Sequence, residues 1–183
     1  MGVDPQLDAG VQPRRDEPGL DVAEPSIPDY AGACVCNLVP ALLEPAAAPP
    51  AWLPAPAVDA DRVVLLVLDG VGWHQLATRR HLAPTMAAMA GGPITTVLPT
   101  TTATALTSIA TGATPGEHGV VGYRFGVDGD VLNVLRWATL RNGDARQMLP
   151  PPKLQTLPVF VGHRPPVVTR AEVEHSGFSG AHL

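Results

Sequence analysis

Two stretches of the chain carry residue types that could do chemistry. The first is Asp69, which follows the aliphatic run Val63-Val64-Leu65-Leu66-Val67-Leu68 and precedes Gly70 and Gly72. A carboxylate where a buried strand ends lies at the edge of an α/β sheet that commonly binds ligands. Beside glycines that let the backbone turn sharply, it suits a hard or borderline divalent cation. An Asp in this position can equally do no more than cap the helix that follows. The second stretch is Pro99-Thr100-Thr101-Thr102-Ala103-Thr104-Ala105-Leu106, which leads from an apolar segment into a helical one. A hydroxyl at a helix start lies beside unpaired N–H groups and the positive end of the dipole, so it can accept phosphate oxygens and favours an alkoxide. With a metal ion beside it, such a hydroxyl can lose its proton near neutral pH and become a nucleophile. Threonine is also a common N-cap, and a Thr-rich turn needs no catalysis to account for it.

The elements around these residues read as an α/β pattern. Val63–Leu68 is a continuous aliphatic run of the kind found in a central parallel strand buried on both faces. Residues 73–90 follow with helical spacing at Leu76, Leu82, Met86 and Met89, stopped by Gly91-Gly92-Pro93. Residues 94–98 read as a second strand and 103–110 as a helix stopped by Gly112 and Pro115. Strand, helix, strand, helix points to a doubly wound, mainly parallel sheet with helices on both faces. Residues 120–125 and 131–135 flank Gly126-Val127-Asp128-Gly129-Asp130 and suggest a hairpin. Arg141-Asn142-Gly143-Asp144 is another turn signal, Pro150–Pro152 break the chain, and Val167-Val168 suggests a further strand. On the N-terminal side, residues 1–28 read as an acidic, proline-punctuated disordered leader, with one domain over 29–183. A short helix is expected around Pro40, and an Ala/Pro linker without regular structure over 45–56.

Composition excludes several functions. The net charge is −5, with 12 Lys and Arg against 17 Asp and Glu, and no basic cluster exceeds a pair such as Arg79-Arg80. Nucleic-acid binding through a basic patch is therefore not expected. No apolar stretch approaches the ~20 residues of a membrane helix, and the first thirty residues lack the pattern of a secretory signal. A cytoplasmic protein without a membrane partner is the expectation. Cys34 and Cys36 stand too close for an unstrained disulfide and are too few for a metal site, so they read as small buried thiols.

Taken together, three motifs point further. Val63 through Gly72, Leu98 through Gly112 and Thr114 through Tyr123 occur in this order, and the stretch of about 60–125 that holds them resembles the type I phosphodiesterase/nucleotide pyrophosphatase family. That family is part of the alkaline phosphatase superfamily. The flanks over 30–43 and 167–183 are similar to its bacterial branch, and the whole resembles the N-terminal portion of the family's catalytic domain. The resemblance implies an incomplete alkaline phosphatase-like sheet. It also implies that Thr102 is the catalytic nucleophile, attacking a small phosphodiester or nucleotide. It further implies that Asp69 and Thr102 are ligands of the first of two divalent ions, usually zinc. His118 matches a His-Gly motif of the family and reads as a residue that orders its loop. Where eukaryotic-type members have an Asn three residues after the nucleophile, this chain has Ala105, leaving backbone N–H groups to hold the phosphate oxygen.

The family's remaining ligands, an Asp-x-x-x-His pair, an Asp-His pair and a further His, find no match anywhere in the 183 residues. His74, five residues past Asp69, is better placed at the exposed start of a helix than as a substitute ligand. His163, His175 and His182 have no carboxylate at the family's spacing. The resemblance therefore leaves two readings, a truncated hydrolase or a non-catalytic fragment or docking module. A sulfatase is disfavoured, because neither cysteine lies in a Cys-x-Pro-x-Arg context. A parallel sheet missing later strands leaves an open edge, so self-association is expected.

Overall fold

A computed structural model describes residues 26–44, 48–141 and 143–182. Most of the expected leader lies outside these residues, and 26–29 carry no regular structure. The helix expected around Pro40 is α1, Leu38–Leu43. Residues 45–47 of the expected linker lie outside the described residues, but its end forms α2, Ala55–Val58. Pro56 is tolerated there because the first helical turn needs no N–H donor.

The long helix expected over 73–90 is replaced by shorter pieces. α3 spans Trp73–Thr78, a 3₁₀ turn follows at Arg80–Leu82, and α4 spans Pro84–Ala87. Pro84 accounts for the break before α4: it forces Ala83 out of helical backbone, to φ −135° and ψ 61°. α5, Thr102–Thr111, matches expectation and ends on Gly112 in the left-handed conformation. α6, Pro115–His118, opens with a capping box in which Glu117 accepts from the Thr114 backbone N–H.

Then come β1, Arg124–Val127, and β2, Asp130–Asn133, the expected hairpin. Asp128 and Gly129 connect them with φ of 47° and 77°, the positive values that a two-residue hairpin turn requires. β3, Ala138–Thr139, and β4, Gly143–Asp144, extend this to a four-stranded antiparallel sheet in the order β1-β2-β3-β4. The chain continues through α7, Pro151–Leu154, α8, Ala171–Glu174, and α9, Gly177–His182. Val167-Val168 forms no strand.

The architecture is thus mixed helix and sheet, compatible with an α/β class, but the described sheet is small and antiparallel. Parallel pairing among the described residues is confined to one bridge, Cys34 with Thr95. There the Thr95 N–H donates to the Ala33 carbonyl at 2.7 Å and Val35 N–H donates to the Thr95 carbonyl at 3.0 Å. The run 63–68, expected as a buried central strand, has no ladder partner, and Val64 is 92% and Leu66 72% exposed. A strand of this composition is stable only between two neighbours and under helices, and none of the described elements covers it on both faces.

α5 lies between the two halves of the core. Ala103 joins Val120, Leu132, Val134, Trp137, Ala145 and Phe178, with Leu106 packed against them. Ala105, on the other side of the helix, packs against Cys34, Cys36 and Val97. A helix so rich in hydroxyls can be buried because it satisfies them internally: Thr107 donates to the Ala103 carbonyl and Thr111 to that of Thr107, both at 2.7 Å.

Candidate active site

The first turn of α5 sorts its threonines into different tasks. Thr100 Oγ1 donates to the Val97 carbonyl at 3.0 Å, tying the approach to the helix back on itself. Thr101 is the N-cap, in extended backbone, and its hydroxyl accepts from the Thr104 N–H at 3.4 Å. Thr102 is spared from capping. Its Oγ1 donates to Asp69 Oδ2 at 3.0 Å, across 33 residues of chain.

Asp69 reaches that position from a tight turn in which Val71 N–H donates to the Leu68 carbonyl at 3.5 Å. Gly70 has φ of 75°, a backbone that glycine adopts without strain. The two residues expected to share the chemistry therefore meet, at a solvent-exposed carboxylate and a half-buried hydroxyl. The N–H of Thr102, the first residue of α5, has no acceptor within the helix and lies at its half-buried start, whereas Ala103 is fully buried in the core. Ala105 offers no side chain to this site, because it faces the Cys34–Val97 cluster.

A divalent ion would find two oxygen donors here, one carboxylate and one hydroxyl. Among the described residues no group of three or more His, Cys, Asp or Glu could hold a metal ion. His74 lies exposed on α3 and joins no such group. The donors present do not complete the two-ion centre that the resemblance implies.

His118 is buried and serves its loop. Its Nδ1 accepts from the Val120 N–H at 3.1 Å, and its Nε2 pairs with Ser108 Oγ at 2.8 Å. Burial pushes its pKa down to about 4, so the ring is neutral. Ser108, on the buried side of α5, is a partner that sequence reasoning missed; no local signal distinguishes it from the other hydroxyls of the helix. Cys34 and Cys36 are free and buried, and burial beside Cys34 pushes the Cys36 thiol up to about 12, which makes it inert. His182 is fully buried on α9, with Nδ1 donating to the Phe178 carbonyl at 3.0 Å.

No curated protein and no solved structure matches the chain. A family model does match, over residues 63–182, a span that includes Asp69, Thr102 and His118. With that span covering more than half of the sequence, the chain belongs to the type I phosphodiesterase / nucleotide pyrophosphatase family.

Proposed function

We propose that the protein is a phosphodiesterase or nucleotide pyrophosphatase-type hydrolase in which Thr102 is the nucleophile. The observation that carries this reading is the 3.0 Å hydrogen bond from Thr102 Oγ1 to Asp69 Oδ2 at the open end of α5. Asp69 orients the hydroxyl so that a lone pair faces solvent and holds its proton within transfer distance. Thr102 Oγ1 then bonds to phosphorus as the opposite P–O bond breaks, and the departing alcohol or nucleotide oxygen takes up a proton. Water cleaves the resulting Thr–O–P ester, releasing the phosphoryl product and restoring the hydroxyl. The N–H of Thr102 receives a phosphoryl oxygen at the start of α5, where position 105 supplies no Asn side chain.

The same reading makes the activity dependent on divalent ions, zinc in the family pattern. Asp69 and Thr102 are the ligands this chain contributes. It places the chain in an alkaline phosphatase-like domain from residue 29 onward. The substrate is a small phosphodiester or nucleotide, and the compartment is the cytoplasm, in keeping with the two unpaired thiols. The exposed run 63–68 is the surface through which copies associate.

One observation favours a second reading. Among the described residues Asp69 and Thr102 belong to no group of three or more metal-ligating side chains, as they would in a non-catalytic module that retains the family's surface. Hydrolysis of bis(4-nitrophenyl) phosphate, with zinc added and again after chelation, separates the two. On the hydrolase reading Thr102→Ala lowers turnover by more than about a thousandfold while Thr102→Ser retains part of it. Absence of zinc-dependent turnover in the wild type selects the module.

A further inference from the structure

The Thr102 turn is gripped from an unexpected place. The Tyr30 hydroxyl accepts from the Leu98 N–H at 3.1 Å and donates to the Leu98 carbonyl at 3.4 Å, across 68 residues of chain. One side chain thus engages both polar backbone groups of the residue at which the turn toward α5 begins. The turn then runs through Pro99, with Thr101 N–H donating to the Pro99 carbonyl at 3.0 Å, and delivers Thr102 as the first residue of the helix.

Tyr30 is itself held. Its ring packs against the Cys34–Cys36–Val97 cluster. Asn37 Nδ2 donates to the Tyr30 carbonyl at 3.0 Å and to that of Gly32 at 2.8 Å. Next to it, Asp29 N–H donates to Thr95 Oγ1 at 2.9 Å, so the whole segment lies bonded along 95–98. A hydroxyl anchored this firmly is pre-organised, and it fixes the backbone it touches.

We infer that Tyr30 is a positioning residue for Thr102: its hydroxyl fixes Leu98, and through the short turn that follows it sets the Thr102 hydroxyl against Asp69. The catalytic part of this inference rests on Thr102 being the nucleophile; the geometric part does not. Removing the hydroxyl frees both Leu98 groups, and Thr102 then samples orientations that break its bond to Asp69.

The test is Tyr30→Phe in the full chain, with three readouts. Amide exchange at Leu98 is expected to rise about tenfold, the value of one lost hydrogen bond. The nuclear Overhauser cross-peak between the Thr102 methyl and the Asp69 β protons is expected to fall to less than about half, while the Trp137 indole signal stays unchanged. In the phosphodiester assay kcat falls about tenfold with KM within about twofold. Faster exchange at Leu98 with an unchanged Thr102–Asp69 cross-peak assigns Tyr30 a local structural role only and overturns the inference. Should Tyr30→Phe fail to fold, Asn37→Ser, which releases the Tyr30 backbone and leaves its ring, is read in the same way. A wild type without turnover, combined with a weakened cross-peak in the variant, removes the hydrolase reading and leaves the positioning role standing.

Discussion

His118 gives each of its ring nitrogens a different partner, and those partners fix its tautomer. Nδ1 accepts from the Val120 N–H, so the single proton of the neutral ring is on Nε2 and is donated to Ser108 Oγ. A second proton on Nδ1 would set one N–H against another inside the protein. His182 is in a similar position: Nδ1 donates to the Phe178 carbonyl, Nε2 is buried with no hydrogen-bond partner among the described residues, and burial lowers its pKa to about 4. Both rings are therefore neutral when folded, whereas in the unfolded chain they take up protons near their ordinary value of 6.5. Above that pH neither contributes to the pH dependence. Between 6.5 and about 4 the unfolded state binds more protons, so stability falls with falling pH, by roughly 3 kcal/mol for His118 alone. Melting temperatures measured from pH 7.5 to 4 should show this acid limb, and His118→Gln should flatten it. A profile identical in the two proteins would remove His118 as its source. The loop-ordering role was readable from the His-Gly motif. The Ser108 contact was not, since it depends on which face of α5 the loop packs against.

At the scale of elements, α5 was readable because its signals agree: Thr residues at the start, small side chains within, Gly112 and Pro115 at the end. Gly112 has φ of 69°, and a Cβ there would meet Pro40 Cγ of α1 at 2.7 Å. Gly112→Ala should therefore destabilise the chain by about 1–3 kcal/mol, summing backbone strain and overpacking. Gly177, at the start of α9, lies flush against the Trp137 ring, and Gly177→Ala should cost a comparable amount by crowding alone. Urea titration of both variants measures these differences, and midpoints equal to wild type would contradict them. The elements that were misread failed for opposite reasons. The spacing of Leu76, Leu82, Met86 and Met89 is helical, but Pro84 interrupts the backbone, and Leu82 and Met89 end up exposed. In 63–68 the local pattern has no interruption. What it lacks is neighbours, and a strand buried on both faces is a property of the sheet around it.

For the whole molecule, the run 63–68 stands out as a contiguous stretch of exposed aliphatic side chains. The side chains of 64 and 66 are the most exposed of the six, and the other four are about half covered. Apolar exposure of this kind on a segment outside the sheet invites pairing with another copy. Sedimentation velocity over a range of concentrations should show self-association, and Leu66→Lys should shift the chain toward monomer without changing its melting temperature. Association that is indifferent to Leu66→Lys would place the contact elsewhere. The meeting of Asp69 with Thr102 also belongs to this scale. Neither composition nor periodicity could bring together residues 33 apart; only the order of the three motifs anticipated it.

Trp137 carries a further consequence. Its indole is 1% exposed and its Nε1 donates to the Leu149 carbonyl at 2.8 Å, while Trp73, in the first turn after Asp69, is 41% exposed. The two rings should therefore fluoresce differently. Trp137 should emit at short wavelength and resist acrylamide, and Trp73 should emit at long wavelength and quench readily, with the half-buried Trp52 between them. Light alone can then follow the hairpin core and the Asp69 loop separately, each with its own intrinsic lamp.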